Sequence, residues 1–259
     1  MKIGIIGAGA IGQYVADRLA ERGLGPHVVL IRSDPAGGIM DGVPRVRAVE
    51  DLPEGITLMV DCAGHAGLAA HGCAILARGI GLITVSLGAL ADPALADALA
   101  DAARKGGAQL HLASGAIGAL DSLQAARVGG LDAVTYVGRK PPLGWRGSPA
   151  EQRLDLDALA APAVHFEGSA REAAIAYPKN ANVAAAVALA GAGFDATRVQ
   201  LVADPSVKAN IHEIHATGAF GRFTFRIEGQ ALPDNPRSSA LAAMSAIAAI
   251  EREIAPVTI

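Results

Sequence analysis

A glycine-rich turn stands almost at the first residue. Residues 2–6 run apolar into Gly7-Ala8-Gly9-Ala10-Ile11-Gly12, and an amphipathic stretch, QYVADRLAER, follows over 13–22. A chain with 31 glycines produces G-x-G-x-x-G spacings by chance, so the context matters more than the spacing. Here the glycines separate a strand pattern from a helix pattern. In that setting Gly7 permits the tight turn, Gly9 lets the main chain approach a pyrophosphate, and Gly12 allows helix and strand to pack closely. The N–H groups that open the helix, around Ala10 and Ile11, would hold the phosphates of NAD or NADP. The bland alternative is an ordinary glycine turn. About twenty residues past the glycines, where an acid usually takes the ribose hydroxyls, the chain has Arg32 and Ser33, then Asp34. A guanidinium and a hydroxyl suit a 2′-phosphate, which favours NADP alone or beside NAD. The competing reading makes Arg32 a solvated strand end and gives the ribose to Asp34.

The second half gathers its chemistry-bearing residues in four segments: ASGAIGALD at 113–121, YPKNANV at 177–183, NIHEI at 210–214 and GAFGRF at 218–223. A histidine titrates near neutrality, so His212 has the means to exchange a proton or to bond a carboxylate. It is equally a candidate for a bonded core histidine. Lys179 offers a cation for an acidic substrate, against the alternative of a solvated loop lysine. Asn182 stands where it could simply cap the helix that follows. His215, three residues past His212 on the same strand, falls on the opposite face and reads as structural. There is no G-x-S-x-G elbow for a serine hydrolase, and no His/Cys/Asp/Glu cluster at metal-ligand spacing, so no catalytic metal is expected.

These motifs together, GAGAIG, SGAIGALD, YPKNANVA, NIHEI, GAFGRF and NPRSSALAA, resemble the L-aspartate dehydrogenase family over nearly the whole chain. The resemblance implies NAD(P)-dependent oxidative deamination of L-aspartate to iminoaspartate. The imine hydrolyses to oxaloacetate and ammonia, or feeds the synthesis of quinolinate for NAD. By motif, the family's active-site histidine falls on His212, and its nicotinamide-contacting positions fall on Ala116 and Asn182. The family pattern also implies a Rossmann domain joined to an α+β catalytic domain in a homodimer or higher homo-oligomer. His65 and His215 match no position of the motifs and inherit no role. Two rivals remain. A dihydrodipicolinate-reductase-like enzyme would use a different His and Lys cluster, which is not found. An NAD(P)H-sensing module without turnover would be expected to carry a nucleic-acid-binding element.

These residues need two sets of elements to position them. Over residues 1–113 strands at 2–6, 28–32, 57–62, 81–86 and 109–113 alternate with helices at 13–22, 65–78 and 93–105, the pattern of a doubly wound parallel Rossmann sheet. From 114 to 235 a helix at 118–129 precedes strands at 133–139, 199–204, 210–216 and 219–228, with a helix at 181–191 among them, which reads as a second α+β domain. Residues 140–160, with three prolines and Trp145, read as a surface excursion. The C-terminal helix, counted as 236–259 and capped by Ser238 or Ser239, is expected to rejoin the first domain. The substrate is expected at the carboxyl ends of the parallel strands.

Composition sets the outer limits. The chain of 259 residues is 51% hydrophobic and 3% aromatic, so its cores must be built from Ala, Val, Leu and Ile. A formal net charge of −3 with no basic run argues against nucleic acid or an anionic membrane as partner. No apolar stretch approaches a membrane-spanning length. Cys62 and Cys73 read as reduced, structural thiols of a cytoplasmic protein.

Overall fold

Four consecutive buried residues, Ile3–Ile6 (β1), lie inside a six-stranded parallel sheet. The computed structural model describes residues 1–33, 40, 42–178, 180–232 and 235–258, and within 235–238 the backbone alone. The other strands of this sheet are Val28–Leu30 (β2), Arg45–Val46 (β3), Leu58–Asp61 (β4), Gly81–Thr84 (β5) and Leu110–Leu112 (β6). Their order is β3-β2-β1-β4-β5-β6, with every pairing parallel. Ala10–Ala20 (α1), His65–Ala77 (α2) and Pro93–Gly106 (α3) connect them. A parallel sheet covered on both faces needs strands that are apolar throughout, and β1, β2 and β4 are buried along their whole length.

The chain divides into two compact units, Met1–Gly115 with Ala242–Ile259, and Ala116–Leu241. In the first, the helix Ala240–Ile254 (α7) returns to the sheet. Its Ala246, Ile247, Ala249 and Ile250 share one core with Val15 and Leu19 of α1, Ile3 and Ile5 of β1 and Val60 of β4. An ion pair from Arg22 to Glu251 (2.7 Å) and a hydrogen bond from the Gly115 N–H to Ser245 Oγ (3.0 Å) fix the helix in place.

The second unit is built on a five-stranded mixed sheet. Leu120–Gly129 (α4) leads into Leu131–Lys140 (β7), followed by Ala163–Ser169 (β8), Ala170–Ala176 (α5), Asn182–Ala190 (α6), Arg198–Ala203 (β9), Asn210–Gly218 (β10) and Gly221–Gly229 (β11). The order is β11-β10-β7-β9-β8, parallel only between β7 and β9. Helix α6, NVAAAVALA, is buried on nearly every side and packs against α4 and α5, which is what so many alanines permit. Ala231–Leu232 (β12) and Asn235–Ser239 (β13) form a small antiparallel pair.

The two-domain α/β architecture agrees with the sequence expectation, and several elements differ from it. The second strand ends at Leu30 rather than at 32, leaving Arg32 exposed. The two-residue edge strand β3 carries too little pattern to be read. Strand β8 and helix α5 were not expected, although Ser169 and Glu172 form a reciprocal capping box, a legible start signal. Trp145 is no surface residue. It is 1% exposed, and its indole N–H donates to the Val202 carbonyl at 3.0 Å, so the 140–160 segment folds back onto the sheet. Residues 238 and 239 close β13, and Ser239 directly precedes α7, but its buried Oγ has no hydrogen-bond partner among the described residues. No helix among the described residues is long and apolar enough to cross a membrane.

Candidate active site

In the first unit the glycine turn joins β1 to α1, and steric demands at its three glycines differ. Gly7 has φ +88°, in the left-handed region, and a Cβ there would stand 2.9 Å from Ala63 Cβ. At Gly12 a Cβ would stand 2.2 Å from the Gly7 carbonyl oxygen, so only glycine allows α1 to start so close to the turn. At Gly9 nothing lies within 4 Å of the Cβ position, which leaves the main chain open. Gly9 is the N-cap of α1, and its carbonyl accepts the first helical bond from Gln13 at 2.8 Å. Ala10, Ile11 and Gly12 therefore begin the helix with N–H groups that have no intrahelical acceptor.

A cavity of about 530 Å³ opens over this turn, lined by Gly7, Ala8 and Gly9 at one side and by Ile31, Arg32, Ser33 and Arg47 at the end of β2 and just past β3. Glycine backbone beside two guanidinium groups is a donor set that fits a dinucleotide, with phosphates on the main chain and anionic groups near the arginines. Its wall at Cys62 and Ala63 is set by a buried carboxylate. Asp61 Oδ2 accepts from the hydroxyls of Thr84 (2.7 Å) and Ser86 (2.6 Å), and Oδ1 accepts from the Ala63 N–H (3.0 Å). Burial raises the Asp61 pKa, and these three bonds oppose the rise. The carboxylate is fully occupied and ties the loop after β4 to the end of β5.

In the second unit, β7 and β10 lie side by side with Gly138 opposite His212. Period-two alternation puts Tyr136, Gly138 and Lys140 on one face of β7. A Cβ at Gly138 would fall 2.7 Å from Tyr136 Oη, so the glycine leaves room for the phenol to reach the imidazole. Tyr136 Oη lies 2.8 Å from His212 Nδ1, and the rings stack at 6.0 Å between centroids. His212 is 4% exposed. Burial pushes its pKa down to about 4, helped by the positive charge of Lys140, so the ring is neutral at neutral pH.

The bond also fixes the tautomer. Burial raises the Tyr136 pKa, so the phenol keeps its proton, and its only partner among the described residues is His212. A buried O–H left without an acceptor is costly, so the phenol donates to Nδ1 and the imidazole proton resides on Nε2. His212 thus offers an N–H donor.

Lys140, at the end of β7, donates to Asn180 Oδ1 at 2.6 Å and stands 5.0 Å over the Trp145 ring. Burial lowers its pKa to about 8. Against the same indole lies His165, edge-on at 4.3 Å, with its Nδ1 3.1 Å from Tyr177 Oη. Burial first, then Arg153 and Lys140, push the His165 pKa down to about 4.

The residues singled out from sequence are distributed as follows. Gly7, Gly9 and Arg32 line one cavity, with Ala10, Ile11 and Gly12 opening the adjoining helix. Ala116 is buried just past Gly115, whose φ is +69°. Asn182 is the first residue of α6; the N-cap is Ala181, with no side-chain cap bond. Lys179 and Asp34 lie outside the described residues. His215 is exposed and bonds Thr224 across the β10–β11 pair (3.2 Å). Among the described residues no group of three His, Cys, Asp or Glu is placed to hold a metal. Sequence reasoning missed Tyr136, Lys140, Asn180, Arg47 and Asp61. For the first two a signal existed, since a tyrosine, a glycine and a lysine alternate on one face at the end of a strand that stops before Pro141-Pro142.

Residues 121–253 match the family described as aspartate dehydrogenase, C-terminal, and residues 7–113 match the homoserine dehydrogenase NAD-binding domain. The L-aspartate dehydrogenase of Ruegeria pomeroyi is 58% identical over 97% of this chain and 92% of its own length. That of Ralstonia nicotianae is 48% identical over 96% of both. Among solved structures, aspartate dehydrogenase from Thermotoga maritima aligns with a TM-score of 0.79 at 28% identity, covering 100% of this chain and 99% of that one.

Proposed function

The chain belongs to the aspartate dehydrogenase family, and from that premise we propose that it oxidises L-aspartate to oxaloacetate and ammonia with NAD or NADP. A bound nicotinamide would supply a two-electron hydride acceptor for the hydrogen on the substrate α-carbon. The chain's own residues hold the diacid and place a proton, and water enters to hydrolyse the imine. His212 Nε2–H donates to an oxygen of the substrate, either a carboxylate or the oxygen that water adds at the α-carbon. Tyr136 keeps that N–H in place, and burial keeps the ring neutral rather than competing as a cation. The observation that carries this reading is the buried Tyr136–His212 pair on adjacent strands, at the position the family motif assigns to its histidine.

For the cofactor, Arg32, Ser33 and Arg47 on one cavity wall support NADP use, alone or beside NAD, because two guanidinium groups and a hydroxyl suit a 2′-phosphate. A panel of L-aspartate, L-glutamate, L-alanine, L-homoserine and dihydrodipicolinate, followed by the absorbance of the reduced nicotinamide, tests the substrate. Turnover confined to L-aspartate and its reverse reaction is expected. Preference for another acid would displace the proposal.

A further inference from the structure

We propose that Lys140 is a substrate anchor: its ammonium, held at the end of β7 against Trp145 and near His212, pairs with one carboxylate of the four-carbon diacid. The identity of the acid rests on the function proposed above; the anion site rests on the structure of the second unit.

Several cations of this unit have the carboxylate partner that Lys140 lacks. Arg139 pairs with Asp204 at 2.7 Å, Arg171 with Asp195 at 2.6 Å, and Arg226 with Glu213 and Glu228. Lys140 has a neutral amide oxygen and the face of an indole, and no carboxylate partner among the described residues. An ammonium drawn out of water needs a counter-charge, and the described residues supply none. The residue as a whole is half-buried rather than sealed in the core.

Its neighbours are held without charge. His212 from β10 and His165 from β8 both have lowered pKa values to which Lys140 contributes, and the pKa of Tyr177 is raised by burial. Arg153 lies near His165 and adds to the positive potential, while the Arg139–Asp204 pair cancels itself. The resulting field attracts an anion. Beside the same indole, His165 Nε2 is buried and has no hydrogen-bond partner among the described residues. Burial alone lowers the Lys140 pKa, and a bound anion would act in the opposite direction.

The test uses the full chain with succinate as a non-reacting diacid, measured by calorimetry, alongside initial rates with L-aspartate. Succinate should compete with L-aspartate. Lys140→Met should weaken succinate and raise KM for L-aspartate by about tenfold or more, with NADH affinity unchanged as the check on folding. Lys140→Arg should recover most of the loss. In the wild type, succinate affinity should fall as pH rises past about 8, because only the ammonium binds, whereas in Lys140→Arg it should hold to about pH 9.5. His212, His165 and Tyr177 stay uncharged across that window, so a fall that Lys140→Arg moves to higher pH reports Lys140. A folded Lys140→Met that binds succinate within about twofold of the wild type overturns the proposal. So does a flat wild-type profile, which needs no variant. A wild type that binds succinate through Lys140 but does not oxidise L-aspartate keeps the anion site and sinks the assigned substrate.

Discussion

Tyr136 decides which nitrogen of His212 carries the proton. Sequence alone left His212 open as an acid/base, an anchor or a core histidine; the 2.8 Å bond to a phenol that stays protonated makes it a neutral N–H donor. Tyr136→Phe should therefore lower kcat about tenfold while dinucleotide affinity is unchanged, since the freed Nδ1 can take the proton. The same variant should lose roughly 1–3 kcal/mol of stability from an unsatisfied buried nitrogen. Steady-state kinetics beside urea denaturation would measure both, and an unaltered kcat would remove the positioning role. At the far wall of the cofactor cavity, Arg32→Ala should weaken NADPH binding much more than NADH binding, by about 1–3 kcal/mol for a lost charge-assisted pair. Fluorescence titration with each reduced cofactor reads the difference, and equal effects would leave the 2′-phosphate argument without support. A motif singles out His212 in the sequence. The alternation of Tyr136, Gly138 and Lys140 was also there to be read, but nothing in a single sequence shows that a strand-end lysine lacks an acid partner.

At the scale of elements, the first unit was legible for a physical reason. Strands buried on both faces read as unbroken apolar runs, and glycines at a turn with φ +88° leave no other residue as comfortable. Strand β8, AVHFEGS, lies at a sheet edge, and its polar residues hid the alternation. Trp145 was misplaced because prolines mark a loop but do not say whether the loop is covered. Two glycine substitutions separate fold from binding here. Gly12→Ala meets a main-chain oxygen that cannot swing away and should cost about 1–3 kcal/mol as well as the dinucleotide. Gly9→Ala faces open space, so it should fold normally and lose only dinucleotide affinity. Thermal melts with and without NADH distinguish these outcomes; equal melting losses in both variants would contradict the assignment. Ser169→Ala, which breaks the capping box of α5, should cost about 1 kcal/mol and leave kinetics alone.

For the whole molecule, pH dependence follows from two imidazoles buried neutral. His212 and His165 have folded-state pKa values of about 4, below the ordinary 6.5, so the unfolded chain binds more protons between those values. Their stabilising contribution is present in full above about pH 6.5 and is lost as pH falls toward 4, by roughly 3 kcal/mol each at most. Denaturation midpoints at pH 7, 5.5 and 4.5 should decline accordingly, and His165→Phe should flatten the decline; a midpoint independent of pH would mean that neither ring is held neutral. The claim on which the account depends is that His212 acts on the substrate rather than supporting the core. Its direct measurement is kcat for L-aspartate oxidation in wild type and His212→Gln, with NADH affinity and melting temperature determined on the same preparations. In His212→Gln, kcat should be lower by about a hundredfold or more with both controls preserved. A His212→Gln protein that turns over L-aspartate at the wild-type rate would contradict it.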